Sequence, residues 1–173
     1  MGTVTTEYAA SSDLTVTALQ SLAASSSFTS GWTSNAVSNT SDKHLDKVVT
    51  AKFTTAGSNT QAGEIRVYVY GQLDDSNWGI NLSAGTAATE GTCTIIDTEQ
   101  AQNSLILLWA GVTDAGASEV HYMPPTSIRG AFGGFMPSRF CIFVTGTAAT
   151  STNAQFASSG NQVTVKGIYE SVA

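Results

Sequence analysis

Apolar and polar positions alternate with period two along much of this chain, and the clearest run lies at residues 139–145. There Phe140, Ile142 and Val144 fall on one face and Cys141 and Phe143 on the other. Period-two alternation of β-branched and aromatic residues predicts a strand, and two apolar faces predict one covered on both sides. A second strong run spans residues 64–73, with Ile65, Val67 and Val69 opposite Arg66, Tyr68 and Tyr70. Residues 104–112 are apolar around Leu105, Ile106, Leu107, Leu108 and Trp109. Periodicity alone allows a buried helix there, but the short length and the polar flanks favour a buried strand.

Weaker runs complete the set. Leu14, Val16 and Ala18 alternate with Thr15 and Thr17, which predicts a half-buried strand over 13–22. Residues 28–39 predict another, interrupted at Gly31, with Trp32 as a large core or interface contact. Residues 45–54 alternate imperfectly, as a strand with a bulge would. Residues 92–96 read as a strand or a short helical turn, 119–123 as a short strand, and 162–171 as the closing strand. Between them lie polar loops at 56–63, 78–91 and 147–160, and an acidic turn at 74–77. Pro124 and Pro125 fix φ and remove two donors, so a central strand cannot run through them. Gly133 and Gly134 permit backbone angles or close approaches closed to other residues, and Phe132 and Phe135 flank them, positioned to fold back onto a core.

About eight strands at these spacings predict an all-β, single-domain antiparallel β-sandwich, a jelly-roll or a related Greek key. Residues 1–12 read as a polar N-terminal arm anchored by Val4 and Tyr8, free to stay loose or to swap onto a neighbouring subunit, and 13–173 as the sandwich. No internal repeat or linker divides the chain.

Composition narrows the function more than the fold. The 173 residues suffice for one domain with a real core, yet only 12% are charged and the formal net charge is -6. Ser, Thr, Ala and Gly replace the missing charge, giving a neutral, hydroxyl-rich coat suited to broad contact with other proteins. Seven scattered Lys and Arg argue against nucleic acid as a partner. No run approaches a membrane span, and no basic region followed by an apolar stretch opens the chain. Gly2 followed by Thr6 fits a myristoylation pattern formally, without a polybasic patch behind it. Cys93 and Cys141 stand far apart in sequence, outside any Cys-x-x-Cys unit, and read as small core residues of a protein made in a reducing cytoplasm.

Candidate chemistry is thin. His44, between Asp42 and Asp46, reads as an exposed turn before a strand, and His121 as a strand-surface residue. No zinc spacing, nucleophile elbow or dinucleotide fingerprint is present, and Asp74, Asp75 and Asn77 lack the distal ligand of a calcium loop. No carboxylate pair stands out for glycoside hydrolysis. Among the tryptophans, only Trp78 lies in a polar loop where it could be exposed as a sugar platform. Catalytic, cofactor and metal residues are therefore expected to be none.

One block is more specific. Residues 131–144 read Ala-Phe-Gly-Gly-Phe-Met-Pro-Ser-Arg-Phe-Cys-Ile-Phe-Val, followed by Ser-Gly-Asn-Gln-Val at 159–163 and Gly-Ile-Tyr-Glu at 167–170. With Ser-Leu-Ala at 21–23, Gly-Trp at 31–32, Asn-Thr-Ser at 39–41, Leu-Asp at 45–46 and Val-Tyr-Val-Tyr-Gly at 67–71, this resembles a family of small virion structural proteins of tailed bacteriophages. The family pattern has Leu where Met136 stands and Trp-Gly where Phe140-Cys141 stand, which are packing changes. The resemblance implies a non-enzymatic β-sandwich in the virion, made in the host bacterial cytoplasm. It implies a capsid decoration, or cement, protein that binds the major capsid protein or other virion proteins as a homotrimer. The expected interface residues are Val4, Tyr8, Trp78, Phe132 and Phe135. The alternatives are a neck, tail or fibre component, a glycan-binding jelly-roll, or a cell-wall hydrolase.

Overall fold

Two antiparallel sheets pack face to face in the computed structural model, which describes residues 3–59, 62–74, 76–114, 118–147 and 155–172. The first has the order β1 (Val4–Asp13), β11 (Gln162–Val172), β4 (Asp46–Thr54), β9 (Val120–Ser127). The second has the order β6 (Leu82–Ala84), β7 (Gly91–Ile95), β2 (Ser30–Thr33), β10 (Arg139–Gly146), β5 (Gly63–Gly71), β8 (Ile106–Thr113). The two-residue strand β3 (Val37–Ser38) also pairs with β10. Two short helices, α1 (Thr98–Ser104) and α2 (Ile128–Ala131), lie in the connections.

The core follows from the alternation. Phe140, Ile142 and Val144 of β10 point between the sheets and meet Ile65, Val67 and Val69 of β5 and Val49, Ala51 and Phe53 of β4, all buried. Phe53 stacks near Trp109 and meets Phe156 edge-on, with ring centroids 5.9 and 5.7 Å away. Each fully buried aliphatic or Phe side chain contributes roughly 1.5–3 kcal/mol. The opposite face of β10 is covered too. Cys141 and Phe143 join Tyr70, Cys93, Ile95 and Leu105 in a second cluster, roofed partly by Trp78, Ile80 and Leu82 from the excursion between β5 and β8. The doubly apolar pattern of residues 139–145 therefore has a cover on each side.

Several expectations change. The N-terminal stretch is not a loose arm, since β1 pairs with β11 from Val4↔Val172 to Asp13↔Thr164, with a bulge between Tyr8 and Ser11. Of the strand expected over 13–22, only Asp13 belongs to one. Beyond it Leu14 and Val16 still turn toward the core, but the chain leaves the sheet and makes a 3-10 turn at Thr17–Leu19. The alternation of β4 is regular, and it looked imperfect because Lys47 occupies an inward position. The bulge expected there lies instead in β9, where Val49↔Thr126 is followed by Ala51↔Met123. The additional residue is supplied at Pro124–Pro125, on a sheet-edge strand, where missing donors are tolerated. Helix α1 and strand β6 were unmarked in sequence, and Phe156, inside a stretch read as polar loop, is buried. Gly31 is no interruption: a Cβ there would lie 2.4 Å from the Val144 carbonyl oxygen, so its absence lets β2 close on β10. Gly133 and Gly134 have φ of 69° and 98°, so the turn after α2 needs them for their backbone angles, although a Cβ at either would meet nothing within 4 Å.

Candidate interaction surfaces

Among the described residues, three surfaces hold the candidate contact residues and His44. The first surrounds Leu73, just beyond β5. Asp74 ends that strand as an Asx turn, its Oδ1 accepting from the Ser76 and Asn77 amides at 2.8 and 2.7 Å. Those hydrogen bonds hold the Asp74 carboxyl below its usual value, that from the Asn77 side chain contributing most. The turn leaves Leu73 74% exposed, next to Phe135 at 81%, the most exposed large apolar side chains among the described residues. They line one groove with Phe132, Ile106 and Pro137. Phe132 is half-buried, its ring lying 3.0 Å from where a Cβ on Gly71 would sit. A neighbouring groove runs from Leu73 to Trp78 and Ile80. Trp78 is half-buried rather than a free platform. Its ring meets Tyr70 edge-on at 5.8 Å, and the Arg139 guanidinium lies 5.6 Å from its centre. The fold thus gathers Trp78, Phe132 and Phe135 around Leu73, a residue that sequence reading assigned only to a strand end.

The second surface holds Val4 and Tyr8, and Tyr8 lines a different groove from that patch. They lie on β1 where it pairs with β11 past Ile168. Pairing of β11 with β4 ends at Ile168↔Asp46, so residues 4–7 and 169–172 form a two-stranded ribbon. One ribbon face is largely apolar, with Val4, Tyr8 and Val172 exposed at 58, 62 and 73% and the Thr6–Glu170 pair between them. The other is polar. Glu7 accepts hydrogen bonds from the Ser171 hydroxyl and, at 3.0 Å, from the Tyr169 hydroxyl. These bonds, Ser171 first, hold the Glu7 carboxyl below its usual value, and the same contact raises Tyr169. The apolar face runs on into the outer face of the first sheet, where Tyr8, Ile168, Val48 and Pro125 line a shallow groove and Lys166 Nζ lies 5.1 Å from the Tyr8 ring centre.

The third is a cleft of about 830 Å³ between β1, the segment before β4, and β11. Its wall carries Asp42, His44, Lys47, Tyr169 and Glu170. His44 is not in an exposed turn. Its ring packs over Gly167, where a Cβ would lie 2.6 Å from ring atoms, and its buried Nδ1 lies 3.8 Å from Asp42 Oδ2 without a hydrogen bond. Lys47 is buried but satisfied, its Nζ donating to the Ser38 carbonyl at 2.8 Å. His121, read as a surface residue, is half-buried with Nε2 3.5 Å from Glu119 Oε2.

The remaining candidates are structural. Trp32 is fully buried, and its Nε1 donates to Glu90 Oε1 at 2.9 Å. Cys93 and Cys141 are free and buried, and burial pushes both thiols up to about 12. Among the described residues, no three His, Cys, Asp or Glu gather into a group that could hold a metal ion. No protein-family model matches the chain, and no curated protein matches it.

Proposed function

We propose that this chain is a non-enzymatic structural protein of a tailed-bacteriophage virion, a capsid decoration protein that binds the outer shell and stabilises it. The strand order carries the reading. With β3, β6 and β7 set aside, the strands in chain order are β1, β2, β4, β5, β8, β9, β10 and β11. They distribute as first-eighth-third-sixth in one sheet and second-seventh-fourth-fifth in the other. This order supports a jelly-roll, an architecture used by viral capsid and lectin domains. The phage-like motifs at 131–144 and 167–170 point to the virion among those uses.

The Leu73–Phe135 patch is the shell-contacting surface in this reading. Two large apolar side chains so exposed on a weakly charged surface mark an interaction site. A protein that binds only the assembled shell stabilises it by its binding free energy, summed over many copies. Shells lacking the protein, mixed with purified chain, test the assignment. Wild type is expected to co-sediment with them and raise the temperature of DNA release. Leu73→Asp and Phe135→Asp variants are expected to keep their own Tm and lose both effects. Wild-type protein that leaves intact shells unbound would overturn the reading.

The cleft lined by Tyr169 and Asp42 favours a second reading, a glycan-binding jelly-roll. Aromatic and carboxylate groups together suit a sugar ring and its hydroxyls. Saturable binding on a glycan array, lost in Tyr169→Ala with shell binding intact, would establish it.

A further inference from the structure

The ribbon formed by residues 4–7 and 169–172 has open backbone edges, and its pattern identifies what closes one of them. An open strand edge presents unpaired N–H and C=O groups, which are satisfied best by another extended strand. Residues 4–8 are exposed on both faces, so a second strand can approach without meeting the body of the sandwich. The bulge between Tyr8 and Ser11 breaks the regular edge and confines pairing to this five-residue stretch.

We infer that β1 pairs with β1 of a second copy of this chain, antiparallel about a twofold axis through Thr6. Antiparallel neighbours share a face only when even-numbered residues oppose even-numbered ones in this self-pairing. Centring on Thr6 sets Val4 opposite Tyr8 of the partner copy, twice, on the apolar face. It sets Glu7 opposite Thr5 on the polar face, a carboxylate facing a hydroxyl. Centring on Glu7 would place two carboxylates directly opposite, which is unfavourable. Centring on Thr5 would lose both Val–Tyr pairs.

The other open edge, residues 169–172 of β11, is a poorer self-partner. Any register that keeps faces matched sets Glu170 against Glu170 or against Val172. The β1 pairing makes one continuous sheet across two copies, in the order β9-β4-β11-β1-β1-β11-β4-β9. This twofold differs from the threefold that the phage-family resemblance implies. The contact is short, well below the roughly 1,200 Å² of a stable interface, so it is weak in solution and gains from high local concentration.

Thr6→Cys in the full chain tests it. Cα atoms opposite each other in antiparallel strands are about 4.5–5.5 Å apart, within the span of a disulfide. Under mild oxidation Thr6→Cys is expected to yield a covalent dimer at least ~10-fold faster than Ser11→Cys, beyond the bulge. The native cysteines are buried and do not compete. In sedimentation equilibrium, Tyr8→Lys is expected to weaken dimerisation about 10-fold with unchanged Tm. Equal crosslinking rates at positions 6 and 11, a trimer, or a strict monomer at the highest concentration reached would overturn the pairing. None of these results bears on shell binding through Leu73 and Phe135, so this inference and the proposed function fail separately.

Discussion

Glu90 is a single carboxylate on which two separate parts of the core depend. Its Oε1 accepts from the Trp32 indole at 2.9 Å and from the Ala18 backbone amide at 2.8 Å. Its own amide donates to Asn35 Oδ1 at 2.9 Å. It therefore ties β2, the 3-10 turn and the strand entering β7 together. Glu90→Ala removes the acceptor and leaves two donors behind, one on a side chain with 0% exposure. Hydrogen bonds to a charged group are worth roughly 1.5–3 kcal/mol each, and an orphaned buried donor costs about 1–3 kcal/mol. Glu90 is half-buried, so water can satisfy part of what is lost, and the expected destabilisation is about 2–4 kcal/mol. At roughly 2–4 °C per kcal/mol for a domain of this size, Tm should fall by about 4–16 °C. Glu90→Gln keeps an acceptor oxygen and loses only the charge, so its cost should stay near 1 kcal/mol. Urea unfolding of the three proteins, read by tryptophan fluorescence, gives both differences. If Glu90→Ala lies within about 0.5 kcal/mol of wild type, or Glu90→Gln is as damaging, the shared-acceptor account is wrong.

Three further outcomes follow from the geometry. Gly31→Ala should destabilise by about 1–3 kcal/mol or more, because the new methyl meets a backbone carbonyl and the Phe143 ring; an unchanged Tm would contradict the close approach of β2 and β10. Cys93 and Cys141, with thiols pushed up to about 12, should resist a thiol-specific disulfide reagent at pH 8 in the native state and react fully in denaturant; rapid native labelling would show that the second cluster is open. Glu7 has a folded pKa below its unfolded value, so its contribution to the ribbon is complete above the unfolded pKa and is lost as pH falls through the folded one. Amide exchange of residues 4–8 and 168–172, corrected for intrinsic rates, should accelerate on acidification before the rest of the sandwich, and Glu7→Gln should remove that dependence; identical profiles for the two proteins would refute it.

The strands that carry the core were legible because burial alone fixes their pattern. In β5 and β10 each inward position is apolar, and the second apolar face of β10 announced its cover. In β1 nothing is buried, so its strand character comes from pairing with β11 some 160 residues away, a contact that no local pattern records. The opposite error arose at Leu14, Val16 and Ala18. Their alternation does mark side chains turned to the core, but the backbone bonds there to the Val163 carbonyl and to Glu90 rather than to a continuing ladder. Lys47 disguised β4 because a buried lysine satisfied by a carbonyl looks like a polar break. At the candidate surfaces, exposure of Val4 and Tyr8 was readable from polar surroundings. Phe135 is a correction: of the two aromatic residues expected to fold back onto a core, Phe132 packs against Gly71 but Phe135 stands 81% exposed. Exposure of Leu73 was not readable, since the Asx turn at Asp74 directs it outward, and the half-burial of Trp78 depends on Tyr70, across that turn, and on Arg139, distant in sequence.

The most direct test of the central claim is the number of copies of this chain per purified virion, relative to the major capsid protein, by quantitative mass spectrometry. A decoration protein is expected at a ratio set by the shell lattice. A ratio of only a few per cent of that value would move the chain to the neck, tail or fibre, and its absence from the particle would contradict the structural role altogether.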